Sequence, residues 1–144
     1  MVYNLLYTEQ KDKLMQTIFI VDDDHDIVES MRIVLESQGY RVEAQYDDQN
    51  IVANIKQLKP DCILLDVIFP EDDSAGFRMA REIRSDDTLK AIPLLMLSAV
   101  NEKGSYAGTF SNRDRDQQWL PVDEFIEKPM EPAALISIVK HYLG

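Results

Sequence analysis

Six side chains in this sequence have the types needed for joint chemistry: Asp22, Asp23 and Asp24 in one run, then Asp66, Ser98 and Lys128 at wide spacing. Carboxylates gathered in one crevice repel each other, and a divalent cation relieves that repulsion. Hard oxygen ligands, with room for water and a phosphoryl oxygen, suit magnesium or a similar ion such as manganese. Lys128 offers a compact positive charge that can pair with Asp66 or with a phosphoryl oxygen, and Ser98 offers a short hydroxyl donor. A carboxylate nucleophile, a metal, a lysine and a hydroxyl together equip a site for an acyl phosphate. There the metal and the lysine neutralise charge on a phosphoryl group as it transfers. No one of these residues is informative alone; the question is whether the fold brings them together.

The elements that would do so are legible as alternating apolar runs and amphipathic stretches. Residues 17–21 are short, apolar and β-branched, like a buried strand, and residues 62–66 read as another buried strand; residues 41–46, 93–98 and 124–126 complete a set of five. Between the first two lies a helix expected to be capped by Asp26 with Glu29 three residues on. Its apolar face is Ile27, Val28, Met31, Val34 and Leu35, and Gly39 stops it in the left-handed conformation. A second helix carries Ile51, Val52, Ile55 and Leu58 and ends at Pro60; a third carries Phe77, Ala80 and Ile83. The last begins near Pro132, a favourable first-turn proline, with Leu135, Ile136, Val139, Tyr142 and Leu143 on its face. The pattern fades over residues 101–118, which hold two glycines, many polar residues and no sustained helical stripe.

Repeated strand–helix units predict an α/β fold, a doubly wound five-stranded parallel sheet with helices on both faces. Ligands of such folds bind beyond the carboxyl ends of the strands. The reactive residues lie at those ends: the acidic run follows the first strand, Asp66 ends the third, Ser98 ends the fourth and Lys128 follows the fifth.

Composition narrows the function further. The 144 residues fit one compact domain, and 45% hydrophobic residues suffice for a core. With 26 acidic against 15 basic side chains, the net charge of −11 argues against a nucleic-acid binder. Cys62 is the one cysteine, so an intramolecular disulfide is excluded and a cysteine zinc site is not expected. No apolar run approaches the roughly 20 residues of a membrane span, and the N-terminus lacks the basic start and long apolar stretch of a signal peptide. A cytoplasmic protein is expected. Residues 1–16 read as an extension or tail, with Met15 an alternative start, and residues 17–144 as the domain.

Four segments, IFIVDDDHD at 18–26, DCILLDVIFP at 61–70, LMLSA at 95–99 and FIEKP at 125–129, resemble in content and order the motifs of response-regulator receiver domains of two-component signalling. The resemblance runs from residue 17 to the C-terminus and implies a flavodoxin-like (βα)5 fold with an atypical fourth-helix region. It implies that Asp66 is the phosphoacceptor, that Asp22 and Asp23 are the acidic pair with Asp23 a direct metal ligand, and that Ile68 lends its backbone carbonyl to the metal. Ser98 and Lys128 would contact the phosphoryl group from two sides, Phe125 would be the aromatic switch, and the Lys128–Pro129 bond would be cis. The donor would be a sensor histidine kinase or a histidine phosphotransfer protein. The output would be altered binding of a downstream protein that the sequence does not name. Such a chain catalyses only its own aspartyl phosphorylation and dephosphorylation and is no enzyme in the ordinary sense. It stops at the end of the last helix, so a stand-alone receiver is expected.

Plainer roles are expected for the neighbours. Asp24 reads as solvated, His25 as an exposed histidine rather than a ligand, Cys62 as a small core residue, and Glu71, Asp72 and Asp73 as a solvated loop. Two departures from the family stand out: this acidic stretch lengthens the link before Gly76 and Phe77, and the span from Ser98 to Lys128 is longer than usual, with Tyr106, Phe110 and Trp119 among glycines and charges. Those aromatics either pin a long loop to the body or form a specialised partner surface. Ile68 and Val100, flanking the acceptor and the hydroxyl, are apolar and β-branched, which predicts slow loss of the phosphoryl group. A pseudo-receiver that only binds a partner is disfavoured because the acceptor, acidic pair and lysine are all kept. A haloacid-dehalogenase-type phosphatase would need a second Asp at position 68, and a flavodoxin-like cofactor binder would need a hydroxyl-rich phosphate loop.

Overall fold

The computed structural model describes residues 15–66, 75–98, 122–128 and 130–144. Within them five strands alternate with four helices: β1 (Thr17–Val21), α1 (His25–Glu36), β2 (Arg41–Gln45), α2 (Ile51–Leu58), β3 (Cys62–Asp66), α3 (Ala75–Ser85), β4 (Leu94–Ser98), β5 (Glu124–Glu127) and α4 (Pro132–Leu143). The strands form one sheet in the order β2-β1-β3-β4-β5, every pair parallel. This is the doubly wound sheet expected from the alternation of elements.

Period-two alternation sorts the strand side chains onto two faces. Phe19, Val21, Ile63, Leu65, Leu94 and Met96 meet Ile51 and Ile55 of α2 and Met79, Ala80 and Ile83 of α3. Ile18, Ile20, Cys62, Leu64, Leu95, Leu97 and Ile126 meet Val28, Met31 and Leu35 of α1 and Leu135 and Val139 of α4. A sheet covered on both faces needs apolar residues at every position, which is why β3 is buried throughout. Gly39 turns the chain from α1 into β2 with φ 91°, a conformation that costs a side chain dearly and glycine little.

Element ends differ from the sequence reading by single residues. Tyr46 lies past the end of β2, Pro93 lies before β4, and Glu127 extends β5. The start of α1 is a substantive correction. Asp24, not Asp26, is the N-cap: its backbone is extended (φ −88°, ψ 103°) and its carboxylate accepts from the amides of Asp26 at 3.0 Å and Ile27 at 3.2 Å. Asp26 sits inside the first turn, where its charge faces the positive helix end. Glu29 is engaged elsewhere, 3.4 Å from Arg32 one turn on.

Outside the reactive end, two clips tie the body together. Asp123, just before β5, accepts from Arg84 at 2.6 Å and from the Leu94 amide at 2.7 Å, joining the end of α3 to the start of β4. Lys56 of α2 pairs with Asp86 beyond α3 at 2.7 Å. That lysine, with the Thr88 hydroxyl and amide, holds the Asp86 carboxyl down to about 2.

Candidate functional site

Strand order determines where the reactive residues meet. From β1 the chain crosses to β2 on one side and then returns to β3 on the other, so β1 and β3 flank the point where the winding reverses. Val21 is level with Leu65, which places Asp22 and Asp66 side by side one step further on. Asp66 is level with Leu97, and Ser98 with Glu127, so Ser98 and Lys128 follow at the same edge.

Asp22 is fully buried and Asp66 is 5% exposed. Lys128 reaches between them, donating from Nζ to Asp22 Oδ2 at 2.8 Å and to Asp66 Oδ1 at 3.1 Å. Burial alone would pull the Lys128 pKa down. The charges of Asp66 and Asp22, together with the two hydrogen bonds, outweigh it and hold the ammonium above the ordinary lysine value. Asp22 is also fixed through its backbone: its amide donates to the Gln45 carbonyl at 3.0 Å, and its Oδ1 accepts from the Asp24 amide at 3.0 Å.

Asp23 completes the cluster from a half-buried position; one carboxylate oxygen each of Asp22, Asp23 and Asp66 lies within 4.8 Å of the others. Three carboxylates against one ammonium leave two formal negative charges in a crevice of low exposure. An oxygen-only donor set with that excess fits a hard divalent cation.

The structure thus brings Asp22, Asp23, Asp66 and Lys128 together, with Ser98 at the adjoining strand end. Phe125 is half-buried against the α2–α3 side of the core, level with Met96. Ile68, Val100, the three acidic residues 71–73, the Lys128–Pro129 bond, the three aromatics of the 99–121 span and residues 1–14 lie outside the described residues. His25 is exposed as expected, but its ring is stacked on Tyr46, a contact the sequence reading did not contain. It joins residues that only the parallel pairing of β1 with β2 makes neighbours, so no local signal announces it.

The response regulator receiver domain family matches residues 18–140. The chain belongs to that family. Among curated relatives, the phosphate regulon transcriptional regulatory protein PhoB of Pseudomonas aeruginosa is 35% identical over 130 residues, 89% of this chain and 52% of its own length. The DNA-binding dual master transcriptional regulator RpaA of Synechocystis is 31% identical over 129 residues, 90% of this chain and 49% of its own. The chain therefore spans about half the length of the curated relatives it matches. A receiver domain of a sensor histidine kinase from Pseudomonas aeruginosa, solved with a magnesium ion coordinated in its active-site cleft, superimposes with a TM-score of 0.72 at 27% identity, covering 90% of this chain and 98% of that one. The signal receiver domain of a signal transduction histidine kinase from Syntrophus aciditrophicus gives the same TM-score of 0.72 at 27% identity, covering 89% of each chain. Receiver domains are signalling switches rather than classical enzymes; they bind magnesium in an acidic cluster and are phosphorylated by histidine kinases. No helix among the described residues is long and apolar enough to cross a membrane.

Proposed function

We propose that this receiver accepts a phosphoryl group on Asp66 from a histidine kinase or a histidine phosphotransfer protein and thereby switches the binding of a downstream protein. The observation that carries the reading is the Lys128 ammonium shared between Asp22 and Asp66 at the mouth of the sheet. A carboxylate of Asp66 attacks phosphorus; the phosphorus–oxygen bond forms as the phosphorus–nitrogen bond of a phosphohistidine breaks, and the imidazole leaves with the electron pair. Lys128 follows the transferred group by exchanging Asp66 for a phosphoryl oxygen, keeping its bond to Asp22. Ser98 donates its hydroxyl to another phosphoryl oxygen, and Phe125 turns inward as that contact forms. Asp23, Asp66 and the Ile68 carbonyl, with Asp22 in the same cluster, would hold a magnesium or manganese ion, which when bound would neutralise charge on the transferring group.

The test is labelling with acetyl phosphate or a candidate kinase in the presence of magnesium. A base-labile acyl phosphate should form on the wild type, and Asp66→Asn should abolish it. Label that persists on another residue of the Asp66→Asn protein overturns the assignment.

A further inference from the structure

At the side of the sheet away from β5, β2 is the outermost strand, and among the described residues it pairs only with β1. Along a strand, successive residues turn their backbone groups to opposite neighbours. The Arg41 amide donates to the Gln16 carbonyl, and the Gln45 carbonyl accepts from the Asp22 amide, so Arg41, Glu43 and Gln45 face β1. Val42 and Ala44 therefore turn their N–H and C=O groups outward. A row of this kind is a template for a further strand.

One of those outward groups is covered. Arg32 reaches from α1 to the edge, and its Nη1 donates to the Val42 carbonyl at 2.8 Å. We propose that the β2 edge is a pairing surface for a second copy of this chain, and that Arg32 holds it closed.

A second copy fits because the edge is complementary to itself. Two identical chains in a closed pair are related by a two-fold axis, which sets two copies of one strand antiparallel. With the axis at Val42, each Val42 supplies the outward N–H and C=O that the other requires, the hydrogen-bonded kind of antiparallel pair. On either side of it, Arg41 of one copy then stands opposite Glu43 of the other, so two ion pairs form. Both side chains are exposed, and neither takes part in an ion pair among the described residues. Val42 packs on the α1 side of the sheet, so Arg41 and Glu43 project on the opposite face, clear of Arg32. An axis at Ala44 would set Glu43 against Gln45 and pair no charges. The register that the charges favour is thus the one that needs the Val42 carbonyl, the group Arg32 occupies.

The closure is a single hydrogen bond from a side chain that is 25% exposed. Glu29 lies 3.4 Å from its Nε and Glu36 lies 3.9 Å from the same Nη1 that binds Val42, so the guanidinium has carboxylates to turn to when it lets go. A five-residue edge buries little surface, and the pairing is weak and dependent on concentration.

Self-association of the full chain is measured by sedimentation equilibrium over a concentration series, with circular dichroism to establish that each variant is folded. Arg32→Met keeps the alkyl stem and removes the donor; Arg32→Gln takes its place if that protein does not fold. Two such hydrogen bonds are released in every pair formed by the wild type, so the variant should associate about tenfold or more tightly. Opposite charges directly across two strands are each worth a factor of about 1.5 to 5, and like charges cost as much. Adding Arg41→Glu to the Arg32 variant should therefore weaken association by about tenfold or more, and adding Glu43→Arg as well should restore it. An Arg32 variant that associates no more tightly than wild type overturns the proposal. Association that the two charge changes leave untouched overturns it too, because it would run through another surface.

Discussion

Asp22 and Asp66 accept hydrogen bonds from the same Lys128 ammonium, at 2.8 and 3.1 Å, although one follows β1 and the other ends β3. A single cation thus holds two buried carboxylates, and the consequences of removing it are lopsided. Lys128→Met leaves both acids buried without their counter-charge and should cost about 3 kcal/mol at neutral pH. The raised pKa of Lys128 determines the pH window. Its contribution is fully present below the unfolded lysine value of about 10.4 and is lost as pH rises through the higher folded value. Urea unfolding of wild type and variant should therefore show a constant gap from pH 7 to about 10, closing above. A gap that stays unchanged as pH rises past the raised Lys128 value would mean that Lys128 acts through packing instead.

Magnesium should stabilise the fold through Asp23. A ligand that binds only the folded state adds about 2.7 kcal/mol at one hundred times its dissociation constant, roughly 10 °C in melting temperature for a domain of this size. Chelation should reverse the gain. Asp23→Ala should lose most of it, while losing little stability in chelator, because it removes one of the repelling charges. Melting curves with and without magnesium decide this, and an equal magnesium shift in both proteins removes Asp23 from the ligand set.

The cap assignment makes a third prediction. Asp24→Ala removes the acceptor for two amides at the start of α1 and should cost about 1 kcal/mol. Asp26→Ala removes only a favourable charge in the first turn and should cost about 0.3–0.5 kcal/mol. Denaturant midpoints of the two variants should separate in that order; the reverse order would restore Asp26 as the cap.

This cap also illustrates where sequence stops short. The strands were readable because β1 and β3 are continuous apolar runs, and the crevice was readable because Asp66, Ser98 and Lys128 stand at or just past run ends. Parallel pairing does the rest, since Val21 level with Leu65 brings Asp22 beside Asp66 without further instruction. The cap was not readable: Asp24 and Asp26 have the same side chain two residues apart, and only the extended backbone at Asp24 separates them. The His25–Tyr46 stack and the Arg84–Asp123 clip were not readable either, because each joins residues whose proximity exists only after the sheet has formed. Loops at sheet ends carry no periodic pattern, so their contacts are determined by the fold and not by local composition.

Cys62 supplies a second pH-dependent contribution. It is fully buried in β3, and burial pushes its thiol up to about 12. The unfolded thiol ionises from about pH 8.5, so between that point and about 12 unfolding releases a proton and stability falls, by at most ~1.4 kcal/mol per pH unit. Cys62→Ala should be less stable at pH 7, since it leaves a small void, yet should lose stability less steeply above pH 9. The native thiol should also stay silent to a thiol reagent at pH 8 until denaturant is added. Rapid reaction of the folded protein would contradict the burial.

The lifetime of the phosphoryl group depends on a water aligned for in-line attack on phosphorus. By resemblance to the family, the positions two residues after the acceptor and two after the hydroxyl border that path; here they are Ile68 and Val100. Both lie outside the described residues, and what they can do follows from their side chains. Neither side chain can accept or donate a hydrogen bond, and β-branching makes both stiff at the first torsion, so in those positions they would shield the path and position no water. Orientation of an attacking group is worth several kcal/mol, so the loss of water positioning should slow hydrolysis markedly. After removal of the phosphodonor, the wild-type acyl phosphate should decay more slowly than that of Ile68→Asn or Val100→Glu. Each of those variants places a polar group beside the path, and each should accelerate decay by about tenfold or more, the effect of ~1.4 kcal/mol in the barrier. Decay rates of the labelled proteins, read with and without chelator to separate metal-dependent loss, measure this directly. Wild-type decay as fast as either variant would assign control of the lifetime to other side chains, and Glu71, Asp72 and Asp73 in the lengthened link would be the first to replace.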